Sequence, residues 1–513
     1  MEGKMEKYFI GLDSGTQSTR VIMFDEKGKR IAYGSAEHPQ MTIPRPGWCE
    51  GGKPDFDDAL RKAAADMFAG FNGDRSNIAA ISISTQRHVF ITLDKNDVML
   101  HNPISWMDSR WQSNFETIGT PNTTVTDPVF TKFLVYYSKA NWFKHNAPDI
   151  FEKAAKFMSS SSYLGYRLSG NFCESIANGI CWPYDLANWG GMRGEAEIEL
   201  LGMRRDQVPE PVFPGTVIGK VTAKAEKEFG FPAGLPVVLA AGDKQTELLG
   251  AGAIKPGQAY ITLGTLSALN VVGDEFRLGA GAFATYLSAC PKLFNFEAAI
   301  QKGFWLVSWF RDNLGGGLKS DAQRLGVSVE SLLDREAEKI PPGSEGLVVM
   351  PDWSPADSRP NGKGVYLGFD ERHGRGHMFR ALIEGLIIQL KAGSDNICNA
   401  LGTEIGELYV GGGGSKSRLT TQIISDVYGV PVNRVGESEN CSLGAAMCGA
   451  VGVGVYSNMG EAVKNMVGNF DVFRPNETNH ELYKNLSGNV IEKLYPALAD
   501  VFRELAGLSA GKL

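Results

Sequence analysis

Residues 8–25, YFIGLDSGTQSTRVIMFD, place one apolar run against another with a short polar turn between them. YFIGL predicts a strand over 8–12, DSGTQST is made of the residues that favour tight turns, and RVIMFD predicts a second strand. EKGK then turns the chain into RIAYGSA, so the closely spaced strands predict an antiparallel hairpin and its continuation. The pattern returns at 258–272, QAYITLGTLSALNVV, as strand, turn and strand. Such an echo suggests a duplicated α/β fold, which places a ligand between its copies.

Working outward, NIAAISIS (77–84) and VFITLD (89–94) predict a second strand pair around TQRH. Helical patterning follows from about 128 to 167. LPVVLAAGDKQ (235–245) is an apolar strand stopped by Gly242 and Asp243, with a helix over 245–252. Later come a helix around 304–314 and a long one over 377–401, where Phe379, Leu382, Ile383, Leu386 and Leu390 recur at helical spacing. ELYVGGG predicts a strand, 416–428 a helix, and SLGAAMCGAVGVGVY a helix whose small residues suit close packing on a sheet. Residues past about 478 predict a charged helical tail.

At 513 residues and roughly 150 per domain, the chain has enough length for more than one core. With 51 basic and 58 acidic residues the net charge is −7, and no basic block offers the positive field that nucleic acid or an acidic membrane needs. No apolar stretch reaches the ~18 residues of a membrane span. The seven cysteines are scattered without CxxC or zinc spacing, as reduced thiols of a cytoplasmic protein would be.

Five segments carry candidate chemistry. In DSGTQSTR, Asp13 ends a strand and the following turn offers N–H and hydroxyl groups to phosphate oxygens, with the acid within reach of Mg²⁺ through water. Taken alone, the same residues equally make a plain hairpin turn. LGTLSA repeats the arrangement. VGGGGSKSR (410–418) runs a strand into four glycines and a helix starting near Ser415 or Lys416, which lets backbone lie flat against a nucleotide. It lacks the Gly-Lys pair of a Walker A loop and the acid spacing of a dinucleotide site. Asp243, at the carboxyl end of a buried strand, suits a general base and equally a helix N-cap. Gln86, Arg87 and His88, with Trp106 and Asp108, supply the polar groups and aromatic wall that a polyhydroxylated ligand needs. His373 and His377 flank glycines, and no metal is assigned to them.

The order DSGTQSTR, STQRH, SWMDSR, AGDKQTELLGAG, ITLGTLSA, WFRD, FRALIEGL, VGGGGSKS, ESENCSLGAA resembles the FGGY family of carbohydrate kinases, in the sugar kinase, Hsp70 and actin superfamily, from about residue 8 to 475. The resemblance implies an α/β protein of two RNase H-like domains flanking a catalytic cleft: 1–254 for the sugar, first phosphate turn and catalytic acid, 255–478 for adenosine and the second phosphate turn, then a tail over 479–513. It implies ATP and Mg²⁺ as cofactors and a small sugar or polyol as partner, with domain closure excluding water; a homodimer is an allowed assembly. By motif match, Asp13, Thr16, Gln17 and Ser18 form the first phosphate turn and Gly264 and Thr265 the second. Gly412, Gly413, Ser415 and Gln422 lie along adenosine. Asp243 is the general base, Asp13 and Asp243 reach the metal, and Gln86, Arg87, His88, Trp106, Asp108 and Gln245 hold the sugar.

Glycerol kinases carry Arg-Glu where this chain has Arg87-His88, and xylulose kinases Met-His. Lys244 stands where many members put Gln or Asn after the acid. The WFRD (309–312) and GGGGSK (411–416) segments, with ISDVYGVPVN (424–433), are also similar to autoinducer-2 kinases. The reading favours a ketopentose such as xylulose, then linear polyols or an autoinducer-2-type substrate. A non-catalytic nucleotide-binding module of the same fold is the competing class.

Overall fold

The structure, a computed structural model, describes residues 6–118, 134–279, 281–354, 359–436 and 439–509. Two compact units emerge, one of residues 1–254, 286–293 and 438–468, the other of 255–285, 294–437 and 469–513.

In the first unit the quoted stretch forms β1 (Tyr8–Ser14) and β2 (Ser18–Asp25), an antiparallel hairpin pairing Asp13 with Arg20 and closed by Gly15 N–H donating to Ser18 O at 2.9 Å. With β3 (Arg30–Glu37), β4 (Ile78–Thr85), β5 (Thr216–Lys220) and β6 (Pro236–Gly242) it builds a sheet in the order β3-β2-β1-β4-β6-β5. β4 runs parallel to both β1 and β6, and β5 closes the edge antiparallel. In the central strands both faces are largely buried, as strands covered on both sides must be.

The second unit repeats this plan. β7 (Gln258–Leu263) and β8 (Ser267–Gly273) form the echoed hairpin, and with β9 (Phe294–Ile300), β10 (Glu407–Gly411), β11 (Val432–Arg434) and β12 (Asp471–Phe473) they make six of the seven strands of the sheet, in the order β9-β8-β7-β10-β11-β12. β10 is parallel to β7 and β11, and β12 is antiparallel at the edge, strand for strand as in the first unit. Each is an RNase H-like α/β domain.

Several expectations are corrected. The strand pair around TQRH does not form: β4 lies in the main sheet, while Ile91–Leu93 pairs with Lys156–Met158 in a separate ribbon. The chain leaves the sheet after Thr85, turning at His88, a non-glycine residue with φ 64°. Helical structure up to 169 is broken into 134–137, Lys139–Asn146, Pro148–Lys153 and Ser160–Ser169, with Pro148 starting the third piece; residues 128–133 lie outside the described residues. The helix after the four glycines begins at Arg418, because Ser417 caps it by accepting from Thr420 N, and Gly413–Lys416 forms a tighter turn.

Residues 438–468, which lie within the expected 255–478 span in sequence, pack with the first unit. The cause is the small-residue helix Asn440–Gly452, which packs on β1, β4 and the Asp243–Ala251 helix. A Cβ at Gly11 would stand 1.8 Å from Ser442 O, one at Gly250 1.9 Å from Asn440 O, and one at Gly444 2.0 Å from Thr246 O. Backbones this close admit no side chain. Residues past 478 do form helices, Glu477–Leu486 and Glu492–Ser509, within the second unit.

Candidate active site

In the first unit the carboxyl ends of three adjacent parallel strands deliver Asp13 from β1, Gln86 from just beyond β4, and Asp243 from just beyond β6. Crevices at such strand ends are where α/β sheets bind ligands. Asp243 is the first residue of its helix, with Gly242 as the cap. Its Oδ1 accepts from Lys244 N at 2.9 Å and lies 3.5 Å from Arg87 Nε, which leaves Oδ2 without a partner among the described residues. Lys244 turns along the helix to pair with Glu247 at 3.0 Å.

Asp13 is buried, and its Oδ1 has no hydrogen-bond partner among the described residues. Burial, then the charge of Asp243, push its carboxyl up to about 6, opposed by Arg20, whose Nη1 is 3.9 Å from Oδ2. Arg20 is held in turn by Glu439 at 3.0 Å. An orphaned buried carboxylate oxygen beside a second carboxylate is a donor set that fits a hard divalent cation, whose remaining ligands would be water and phosphate. Among the described residues no cluster of three or more metal-ligating side chains exists.

The polar residues after β4 converge on the turn after β1. Thr16 Oγ1 donates to Gln86 Oε1 at 3.0 Å and accepts from Trp106 Nε1 at 2.9 Å, while Gln86 Nε2 donates to Gly15 O at 3.1 Å. Gln17 is exposed, and Ser18 starts β2. Arg87 lies over the ring of Tyr286 at 4.0 Å, and His88 stands edge-on to Tyr286 and Tyr137. Burial and the neighbouring Arg87 and Lys139 charges hold the His88 imidazole well below its usual range, so it is neutral. Gln245 donates to Ala177 O at 3.0 Å, and its buried Oε1 has no partner among the described residues.

Asp108 departs from its expected part. One of its oxygens takes Cys49 N at 2.6 Å and Arg110 Nη2 at 2.9 Å, and the other takes Arg110 N and Nε. With no side-chain exposure it fixes the turn carrying Trp106 and offers nothing to a sugar.

In the second unit Gly264 O accepts from Phe304 N at 3.1 Å, tying the turn to the helix Trp305–Leu314. Gly412, at φ 83°, lies so close to Leu263 that a Cβ would meet its carbonyl oxygen at 2.9 Å; the glycine loop is thereby laid beside the Gly264–Thr265 turn. A Cβ at Gly413 would meet nothing within 4 Å, so this backbone is open. Ser415 is buried and closes the loop onto Gly412 O at 2.7 Å. Gln422 donates to Asp426 at 2.8 Å and to Arg474 O at 2.9 Å, which anchors its helix to the segment after β12 instead of to the loop.

Residues 8–250 match the N-terminal domain, and 259–453 the C-terminal domain, of the FGGY family of carbohydrate kinases. The chain belongs to this family. It is a carbohydrate kinase, a phosphotransferase. Over 491 residues, 95% of this chain and 93% of the relative, it is 33% identical to an uncharacterized sugar kinase, YgcE, of Escherichia coli (strain K12). It is 28% identical to the autoinducer-2 kinase of Klebsiella pneumoniae over 93% of this chain and 92% of that one. The crystal structure of gluconate kinase from Lactobacillus acidophilus superposes with a TM-score of 0.83 at 22% identity, covering 98% of this chain and all of that one, and so shares the fold. Among the described residues no helix is long and apolar enough to cross a membrane.

Sequence reasoning assigned no role to Glu439, Tyr286 or Lys139. Glu439 sits in the ESENCSLGAA segment and reaches Arg20 only through the fold. Tyr286 and Lys139 carry no local motif.

Proposed function

We propose that this kinase transfers the γ-phosphoryl group of ATP to a hydroxyl of a short open-chain sugar, a ketopentose such as xylulose, with Asp243 as general base. The observation that carries the reading is the pairing of Asp243 with Arg87 at 3.5 Å beside the buried carboxylate of Asp13. Asp243 Oδ1 is held by Lys244 N and Arg87, so the carboxylate is oriented and Oδ2 is available to take the proton of the attacking hydroxyl. The neutral His88 and the amide of Gln245 offer hydrogen bonds without adding charge, which suits an uncharged polyhydroxylated chain, and Tyr286 and Trp106 offer its C–H faces a wall. Phosphoryl transfer asks little covalent work of a protein, so catalysis rests on orienting the hydroxyl and on N–H donors at the phosphate.

On the nucleotide side, the reading gives the Gly264–Thr265 turn and the turn of Thr16 to Ser18 to phosphate, and the open backbone of Gly412 and Gly413 to adenosine. Mg²⁺, held by Asp13 and Asp243 directly or through water, would neutralise charge on the phosphates. A second reading, an autoinducer-2-type dihydroxyketone, is favoured by the autoinducer-2 kinase relative that matches over 93% of the chain. ATP turnover measured by coupled ADP detection across ketoses, linear polyols and dihydroxyketones tests the proposal. Turnover that rises with one ketose supports it, and turnover indifferent to every alcohol overturns it.

A further inference from the structure

Lys139 is buried in the first unit, at the start of the helix Lys139–Asn146. Its Nζ donates to His88 O at 2.6 Å and to Ser105 O at 3.0 Å. These carbonyls belong to two separate segments. One is the turn after β4 that carries Gln86 and Arg87, and the other the segment that carries Trp106. Both segments end on the same hydroxyl, since Gln86 and Trp106 bond Thr16.

His88 holds φ 64°, a conformation that a non-glycine residue keeps only when its surroundings impose it. Burial lowers the Lys139 ammonium to about 8, opposed by Cys181 and Asp108 nearby, so it is charged at neutral pH. A desolvated charge is costly unless its donors are used, and two strong charge-assisted bonds to backbone are the use made of it.

We propose that Lys139 is a positioning residue: its ammonium clamps the backbone at His88 to the backbone at Ser105 and so holds Gln86, Arg87 and Trp106 in register around Thr16. The assignment rests on the reading of these residues as the sugar side of the site. Lys139→Met keeps the length and apolar stem and removes every donor. Lys139→Gln, shorter but with a neutral two-hydrogen donor, is the milder variant should Met not fold.

Two readouts separate the clamp from the function. In hydrogen–deuterium exchange, the variant exchanges faster in peptides covering 84–92 and 103–109, with those covering 407–428 unchanged. In kinetics with whichever alcohol the wild type phosphorylates, KM for that alcohol rises about tenfold or more, while KM for ATP moves less than about twofold. Unchanged exchange in both segments, or equal acceleration throughout the chain, overturns the clamp whether or not a substrate is known. A kinetic failure with the exchange signature intact overturns only the sugar-side assignment of these residues.

Discussion

Asp13 and Asp243 stand on either side of the end of β4, with Asp13 in register with Ser84 and Gly242 with Thr85, and the charge of Asp243 adds to burial in raising the Asp13 carboxyl. The first unit thus holds two acids in like-charge proximity, an arrangement that costs stability and that a ligand cation relieves.

That cost has a sign and a window. The Asp13 carboxyl rises from 3.8 to about 6 on folding, so between these values the folded chain keeps a proton that the unfolded chain has lost. Stability therefore falls as pH rises through the window and is level above it. Without divalent cations, Asp13→Asn is expected to raise unfolding free energy at pH 7.5 by on the order of 2 kcal/mol relative to its effect at pH 4. Urea titrations at the two pH values check this. Glu174, buried and raised to about 7, gives a slope of the same sign that the variant keeps.

Arg87 touches Asp243 and Tyr286 in the first unit, on the side assigned to the sugar. Arg87→Ala should raise KM for the sugar about tenfold and KM for ATP less than about twofold. Steady-state kinetics with each substrate varied in turn decides it, and an equal loss for both places the residue elsewhere.

Adjacent glycines of the 412–415 loop should respond oppositely. Gly412→Ala meets backbone of Leu263 at 2.9 Å with φ 83° and should cost about 1–3 kcal/mol with a large rise in KM for ATP. Gly413→Ala meets nothing within 4 Å and should leave Tm unchanged. Thermal unfolding of both, with and without ATP, separates the packing role of one from the open face of the other.

The hairpin at 8–25, its echo at 258–272 and the strand before Asp243 were legible because apolar runs, turn residues and stops coincide in each. The order of motifs, more than any one of them, carried the family. The sequence misled where local pattern lost to long-range pairing: VFITLD has the alternation of a hairpin partner, yet its strand pairs with Lys156–Met158 because the chain turns away at His88. The helix Asn440–Gly452 lies late in the sequence, and its packing on the first unit is set by the glycines at 11, 250 and 444, which no local pattern announces. Asp108 has the chemistry of a sugar ligand, but Arg110 two residues on takes both its oxygens. Lys139 has no motif, since its partners are backbone carbonyls 34 and 51 residues away.

Replacing the Asp243 carboxylate by an amide of the same shape is the most direct test. In Asp243→Asn, Tm should equal or exceed that of the wild type, because a like charge beside Asp13 is removed, and ATP binding by calorimetry should persist, while the rate of sugar-dependent ADP formation falls by about 10²–10⁴-fold. A folded variant that binds ATP and turns over within about threefold of the wild-type rate would contradict the assignment of this residue as the base.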